Sequence, residues 1–221
     1  MAEMHDTTEE YLETIFALEE EGIVPMRARL VERLGVSAPA VSETVNRLVE
    51  QGYTELLPNR SLRLTKKGRT VAVSVTRRHR LAERLLVDVI GLEWEKVHKE
   101  AARWEHAISQ DVEEKLVALL GDPATCPHGN PIPGSSNVVS GPVAIPLSEC
   151  PSGPVVITRL SERVEVDDDA LRFVARAGLI PGDRATVVGL TSAGVQVTTA
   201  SGAHEVPHAL GALVFVQQGA L

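Results

Sequence analysis

Residues 11–18 carry Tyr11, Leu12, Ile15, Phe16 and Leu18 at helical spacing, and Gly22 closes the pattern. The preceding Asp6-Thr7-Thr8-Glu9 reads as a capping box at the start of that helix. A short apolar-periodic stretch over about 27–34 meets a tight turn at Gly35. A second helix is expected from a Ser37 cap, with Pro39 in its first turn, turning Val41, Val45 and Leu48 inward and stopping at Gly52. Helix, glycine turn, helix is the pattern of a helix-turn-helix. The segment YTELLPNRSLRLT then alternates and turns at Pro58-Asn59, which predicts a β-hairpin wing.

Two longer helical patterns follow, from about Lys66 to Ile90 and from about Glu93 to Leu120. Their apolar faces are broader than one small wing can cover, so they read as a dimerisation domain. Residues 121–146 are rich in Gly, Pro and Ser and read as loop and linker. From 147 onward the pattern changes to short Val-rich segments with turn signals, interrupted by one helical piece, DDDALRFVARAG. That fits a small β-barrel. The expectation is a mainly α protein with a small β part. A winged helix-turn-helix spans 1–73, a helical dimerisation domain 74–140, a linker 141–146 and a small β-barrel 147–221.

Charge adds a function class. The net charge of -8 conceals +8 over residues 25–80, against -8 over 1–24, -5 over 81–140 and -3 over 141–221. A local basic block in an acidic chain points to a polyanion. Aromatic residues make up only 3%, which argues against a stacking platform for single strands. In a helix-turn-helix the second helix enters the major groove by its N-terminal end. The candidate contacts there are Ser37, Pro39, Ala40, Ser42, Glu43 and Thr44, a small and nearly uncharged face. Such a face favours thymine-methyl contacts and DNA shape over bidentate base reading. Arg27, Arg29, Arg47, Arg60, Arg63, Lys66 and Lys67 are candidates for holding the phosphate backbone.

Metal-binding residue types recur at helical spacing. His79 and Glu83 stand at i, i+4; His98, Ala102, Glu105 and His106 follow at intervals that share one helical face. Glu10 and Glu13 are about one turn apart. Cys126-Pro127-His128 places a thiol and an imidazole two residues apart in the Gly/Pro-rich loop. Cys150 reads as a structural thiol, and His204 and His208 as surface or core histidines. The amino terminus lacks a signal-peptide pattern and no apolar run has transmembrane length, so a cytoplasmic protein with no membrane partner and reduced thiols is expected. A metalloenzyme lacks support: HExxH, a nucleophile triad and a phosphate loop are all missing from the sequence. A winged-helix regulator answering to an organic ligand would bind its operator without metal.

The stretches DTTEEYLETI, RHRLAERLLVDVIGLEWEKVHKEAARWEHAIS and HGNPIPG resemble the diphtheria toxin repressor family of metal-dependent transcriptional repressors. The resemblance implies metal binding by the dimerisation domain 74–140, an SH3-like fold for the β-barrel 147–221, and homodimers that bind palindromic double-stranded operators when loaded with ferrous iron or manganese, with one or two dimers at each operator. It implies about two metal sites per subunit. One would use His79, Glu83 and His98, joined by Cys126, His128 and Asp167; the family Gln position here is Ala170. The other would use Glu10, Glu105, His106 and the backbone carbonyl of Ala102, where iron-type members have Met and Cys in place of Glu10 and Ala102. Exchanging sulfur for carboxylate hardens the site and favours Mn(II) over Fe(II). Family base-facing positions match Ser37 and Pro39, while the family's usual Gln falls at Glu43.

Overall fold

A computed structural model describes residues 2–137 and 143–219. The chain forms two compact units. One runs through His79 and adds Glu105–Ile108; the other comprises Arg80–Trp104 and the chain from Ser109 onward.

In the first unit, α1 spans Ala2–Glu20, α2 Arg27–Leu34 and α3 Ala38–Glu50. The capping-box expectation is corrected: α1 is already helical through Asp6, so Asp6-Thr7-Thr8-Glu9 lies inside the helix. Gly35 ends α2 in the left-handed region (φ 66°), and its N–H caps the carbonyl of Val31. Ser37 caps α3, accepting from the Ala40 N–H. Tyr11, Leu12, Ile15 and Leu18 of α1 pack with Leu30, Val41, Val45 and Leu48. Truncating a fully buried leucine of this set, such as Leu48, costs about 2–5 kcal/mol. The wing is an antiparallel pair, β1 (Thr54–Leu56) and β2 (Leu62–Leu64), with Thr54 opposite Leu64.

Helix α4 runs Lys66–Leu85, and its end widens to a π-type turn over Leu86–Ile90. The single helix expected over 93–120 is three pieces: a 3₁₀ turn at Trp94–Lys96, α5 at Val97–Trp104 and α6 at Gln110–Leu120. Ser109 starts α6 afresh, its side chain accepting from the Val112 N–H. Glu105 and His106 therefore stand in the turn after α5, and the shared helical face with His98 does not exist.

The remainder of the second unit is a six-stranded antiparallel sheet. Its strands are β3 (Ile145–Pro146), β4 (Gly153–Leu160), β5 (Arg184–Leu190), β6 (Gly194–Thr199), β7 (Gly202–Pro207) and β8 (Val214–Gln218), in the order β3-β8-β4-β5-β6-β7. Between β4 and β5 lie α7 (Glu162–Glu165) and α8 (Asp168–Arg176). Valines alternating inward from β4, β5, β6 and β8 join Leu147, Leu171 and Leu179 in one core. The architecture is the expected one: helical DNA-binding and dimerisation parts followed by an SH3-like β part. Of the expected linker, 141–142 lie outside the described residues, and Ile145 and Pro146 are already strand, paired with Val216 and Phe215.

Candidate metal centres and nucleic-acid face

The first unit gathers acids from α1, His79 from α4, and Glu105 with His106 from the turn at 105–106. Glu105 is 4% exposed and touches both imidazoles. Its Oε2 shares a hydrogen bond with His79 Nδ1, and its Oε1 lies 3.2 Å from His106 Nε2. His106 Nδ1 is 2.7 Å from Glu9 Oε2. Donor atoms of Glu13, His79 and Glu105 lie within 4.8 Å of one another. Glu10 is more exposed. Desolvation raises its carboxyl pKa, with His106 opposing and Glu105 reinforcing, so it shares their field. Glu13, expected beside Glu10 by its spacing, is the acid of α1 that joins His79 and Glu105, and Glu9 is an addition to the expected set. The signal for Glu9 was its place three residues before Leu12, on the buried stripe. Ala102 lies on α5 with an exposed methyl and has no side-chain donor. Carboxylates and imidazoles converging away from water, with no sulfur among them, are a donor set that fits a hard divalent cation.

The second unit assembles another cluster. Glu83 comes from α4, His98 from α5, Cys126 and His128 from the loop after α6, and Glu165 from α7. His128 Nδ1 lies 3.2 Å from both Glu83 Oε1 and Glu165 Oε2; His98 Nδ1 lies 3.4 Å and 3.1 Å from the same two oxygens. Donor atoms of Glu83, Cys126 and His128 lie within 4.8 Å of one another. Glu83, Cys126, His128 and Glu165 are all buried.

The electrostatics follow from that burial. Burial pushes the Cys126 thiol up to about 11, with Glu83 adding to it and His128 opposing. Burial also opposes charge on Glu165, but His128 overrides it and holds the carboxyl at about 2. The His128 imidazole is raised well above 6.5: burial disfavours its charge, and Glu165 and Glu83 outweigh that. A protonated imidazole thus balances two buried carboxylates, yet neither of its nitrogens makes a hydrogen bond of good geometry. A dication in place of that proton would balance the buried carboxylates and take the imidazole as a ligand, so these residues fit a metal.

The loop holding this cluster is tightly specified. Cys126 N–H donates to Asn130 O at 2.8 Å, and Leu160 N–H of β4 donates to His128 O at 2.9 Å. Gly129 adopts φ 85°, and a Cβ there would stand 2.0 Å from Thr158 O, so no other residue fits between loop and strand. Trp94 tilts against the His128 ring, centroids 4.6 Å apart, and donates to Pro127 O at 3.2 Å. Buried Asn130 donates from Nδ2 to Glu165 Oε1 at 2.6 Å, leaving Oε2 for the histidines. Asn130→Ala is accordingly expected to weaken metal binding at this cluster about tenfold, as loss of a ligand's orienting partner does. Mn(II) titration followed by Trp94 fluorescence measures it, and an unchanged midpoint would show that Asn130 orients nothing.

Asp167 needs correction. Its Oδ1 accepts from the Asp169 and Ala170 N–H groups at 3.0 and 3.1 Å, capping α8. The carboxylate in the cluster is Glu165, two residues earlier. In the run VEVDDDA the acids after Val166 open the next helix, and the α7 register turns Glu165 inward.

On the nucleic-acid face, Ser37, Pro39, Ala40 and Glu43 are exposed and Ser42 half-buried. Thr44 is half-buried, near the Tyr11 phenol and Arg47. Arg60 is exposed at the wing tip (φ 65°), next to an Asn59 side chain that accepts from Ser61 N–H at 3.1 Å. Exposed Asn46, which the sequence reading missed, lies one turn beyond Glu43, and its Oδ1 accepts from Arg27 Nη2 at 2.9 Å.

Residues 3–62 match the family model for the iron dependent repressor N-terminal DNA binding domain, and residues 65–134 that for the iron dependent repressor metal binding and dimerisation domain. The iron-dependent repressor IdeR of Mycobacterium tuberculosis is 47% identical over 231 residues, covering 99% of this chain and all of the relative. The diphtheria toxin repressor of Corynebacterium diphtheriae is 44% identical over 196 residues, covering 85% and 87%. A solved manganese-dependent transcriptional repressor complex with manganese superposes with a TM-score of 0.82 at 33% identity, covering 95% and 98%. Two family models over most of the helical region, and relatives matched along nearly their whole length, place this chain in the diphtheria toxin repressor family of metal-dependent transcriptional repressors.

Proposed function

We propose that this protein is a cytoplasmic, manganese-activated repressor. As a homodimer, singly or as two dimers, it binds a palindromic operator and shuts off manganese-uptake genes. The observation that carries the choice of metal is the cluster of Glu10, Glu13, His79, Glu105 and His106, in which carboxylates outnumber imidazoles and sulfur is missing. The second cluster would take a metal through Glu83, His98, Cys126, His128 and Glu165. Exposed Val89, Ile90, Val112 and Leu119 supply apolar surface for the partner subunit. The functional division is into DNA-binding residues 1–73, dimerisation residues 74–140 and an SH3-like part from 147.

The carboxylates of α1, with His79, Glu105 and His106, would hold the metal, whose charge would tie α1 to them. Because α1 packs on α2 and α3 through Tyr11, Leu12 and Ile15, fixing α1 fixes the reading helix. The cation shifts that equilibrium only by its preference for the ordered state. A second reading, Fe(II) sensing and control of iron-acquisition genes, is favoured by the 47% identity to an iron-dependent repressor and by the soft donor Cys126. Anaerobic titration of metal-free protein with each ion, reading binding to a labelled operator at fixed salt, decides between them. Activation by micromolar Mn(II) with Fe(II) weaker supports the proposal. Equal or better activation by Fe(II) replaces it with the second reading.

A further inference from the structure

We infer that Asn46 reads a base in the operator, and that Arg27 sets which one: a keto-bearing base, guanine or thymine, in place of the adenine that a free asparagine pairs with. The inference rests on the DNA-binding reading above.

Helix α3 buries Val41, Val45 and Leu48. At about 100° per residue, Pro39, Glu43 and Asn46 fall in one strip on the opposite side. All three are exposed. Their spacing of four and three residues lets one helix reach successive base pairs along the groove. Pro39 brings no polar side chain to that strip and Glu43 brings only acceptors. Asn46 supplies the strip's N–H donors.

A free asparagine meets adenine with both ends of its amide, giving a hydrogen to N7 and accepting one from N6. Here Arg27 holds one lone pair of the acceptor end, and its positive charge disfavours a second donor there. A guanidinium has donors and no acceptor, so the oxygen of Asn46 must be the atom facing Arg27, whichever way the amide is drawn. The 2.9 Å contact is a full hydrogen bond, and Arg27 is half-buried at the start of α2, which limits its freedom to leave. Asn46 therefore presents the hydrogens of Nδ2 freely, and an oxygen whose remaining lone pair lies in the field of a cation. Guanine N7 and O6, or thymine O4, accept from it. Adenine would bring an N6 hydrogen against an oxygen already held by a guanidinium, a cost that disfavours it.

The test is selection from a duplex library randomised across the site, with Mn(II) in excess and salt fixed. It uses the wild type, Asn46→Ala and Arg27→Ala, followed by affinities on the selected duplexes. Wild type should select a keto base at one position of each half-site. Asn46→Ala should lose that preference and bind the selected site about tenfold more weakly. In Arg27→Ala the released amide oxygen should move the preference to adenine, whatever happens to overall affinity. An unchanged preferred base in Asn46→Ala overturns the inference, as does a retained keto preference in Arg27→Ala. If wild type selects no duplex with Mn(II) or Fe(II), the DNA-binding reading itself fails and takes the inference with it.

Discussion

Glu105→Ala should give a folded protein that no longer answers to metal, its operator affinity in excess Mn(II) about 100-fold below that of the wild type. Glu105 bridges the first cluster: one of its oxygens meets His79 on α4, the other meets His106. Without it the two imidazoles lose their common partner, and the acids of α1 face a weaker cation. The N-terminal helix then keeps its apolar packing on α2 and α3 but loses the link to α4 that metal would strengthen. Basal, metal-free DNA binding should stay as it is, because Glu105 lies outside the strip of Pro39, Glu43 and Asn46. Glu13→Ala removes one carboxylate and leaves that bridge standing, so its loss should be smaller. Fluorescence anisotropy on a labelled operator, with and without Mn(II), reads both variants, and circular dichroism checks the fold. Full metal activation in Glu105→Ala would mean that this cluster is not the switch.

The parts legible in advance were those with a local cause. Gly35 and Ser37 mark the turn and the cap of the helix-turn-helix, and Val41, Val45 and Leu48 announce their burial by spacing alone. The metal clusters were half legible for the same reason. His79 and Glu83, or Cys126 and His128, are close in sequence and betray themselves. What joins them is not. Glu165 reaches His128 only because the loop at 126–130 docks on β4 through Gly129, a contact between residues far apart in the chain. Within the run of acids that follows, nothing local marks Asp167 as a cap and Glu165 as a cluster member; the register of two short helices decides it. The break before Ser109 was hidden because residues 93–120 keep helical spacing throughout, so one long helix and three short pieces look alike. Asn46 stands beyond the first two turns of α3, the part that sequence reasoning expects to meet base edges. Its pairing with Arg27 bridges two helices and leaves no mark on either pattern.

His128→Ala should destabilise the metal-free protein by about 3–5 kcal/mol, the cost of deleting one member of a buried ion pair. The imidazole is fully buried, and in the absence of metal its positive charge stands against two buried carboxylates, Glu83 and Glu165, each with an oxygen 3.2 Å from its Nδ1. Removing it leaves those buried carboxylates close together, with half-buried His98 beside both. It also leaves the Trp94 ring without the surface it packs on. Cys126→Ala is the informative contrast. It deletes a neutral, protonated thiol of small volume, so its cost in the metal-free protein should be a fraction of that of His128→Ala. The two variants should converge in a metal-binding assay, since each removes a donor from the second cluster and each should lower the number of Mn(II) ions bound per subunit from two to one. Urea unfolding in the presence of a chelator measures the first effect, and equilibrium dialysis with Mn(II) measures the second. Equal, small losses of stability for both variants would mean that the buried carboxylates are neutralised by something other than His128. Two ions still bound in both would mean that the second cluster holds its metal without the loop.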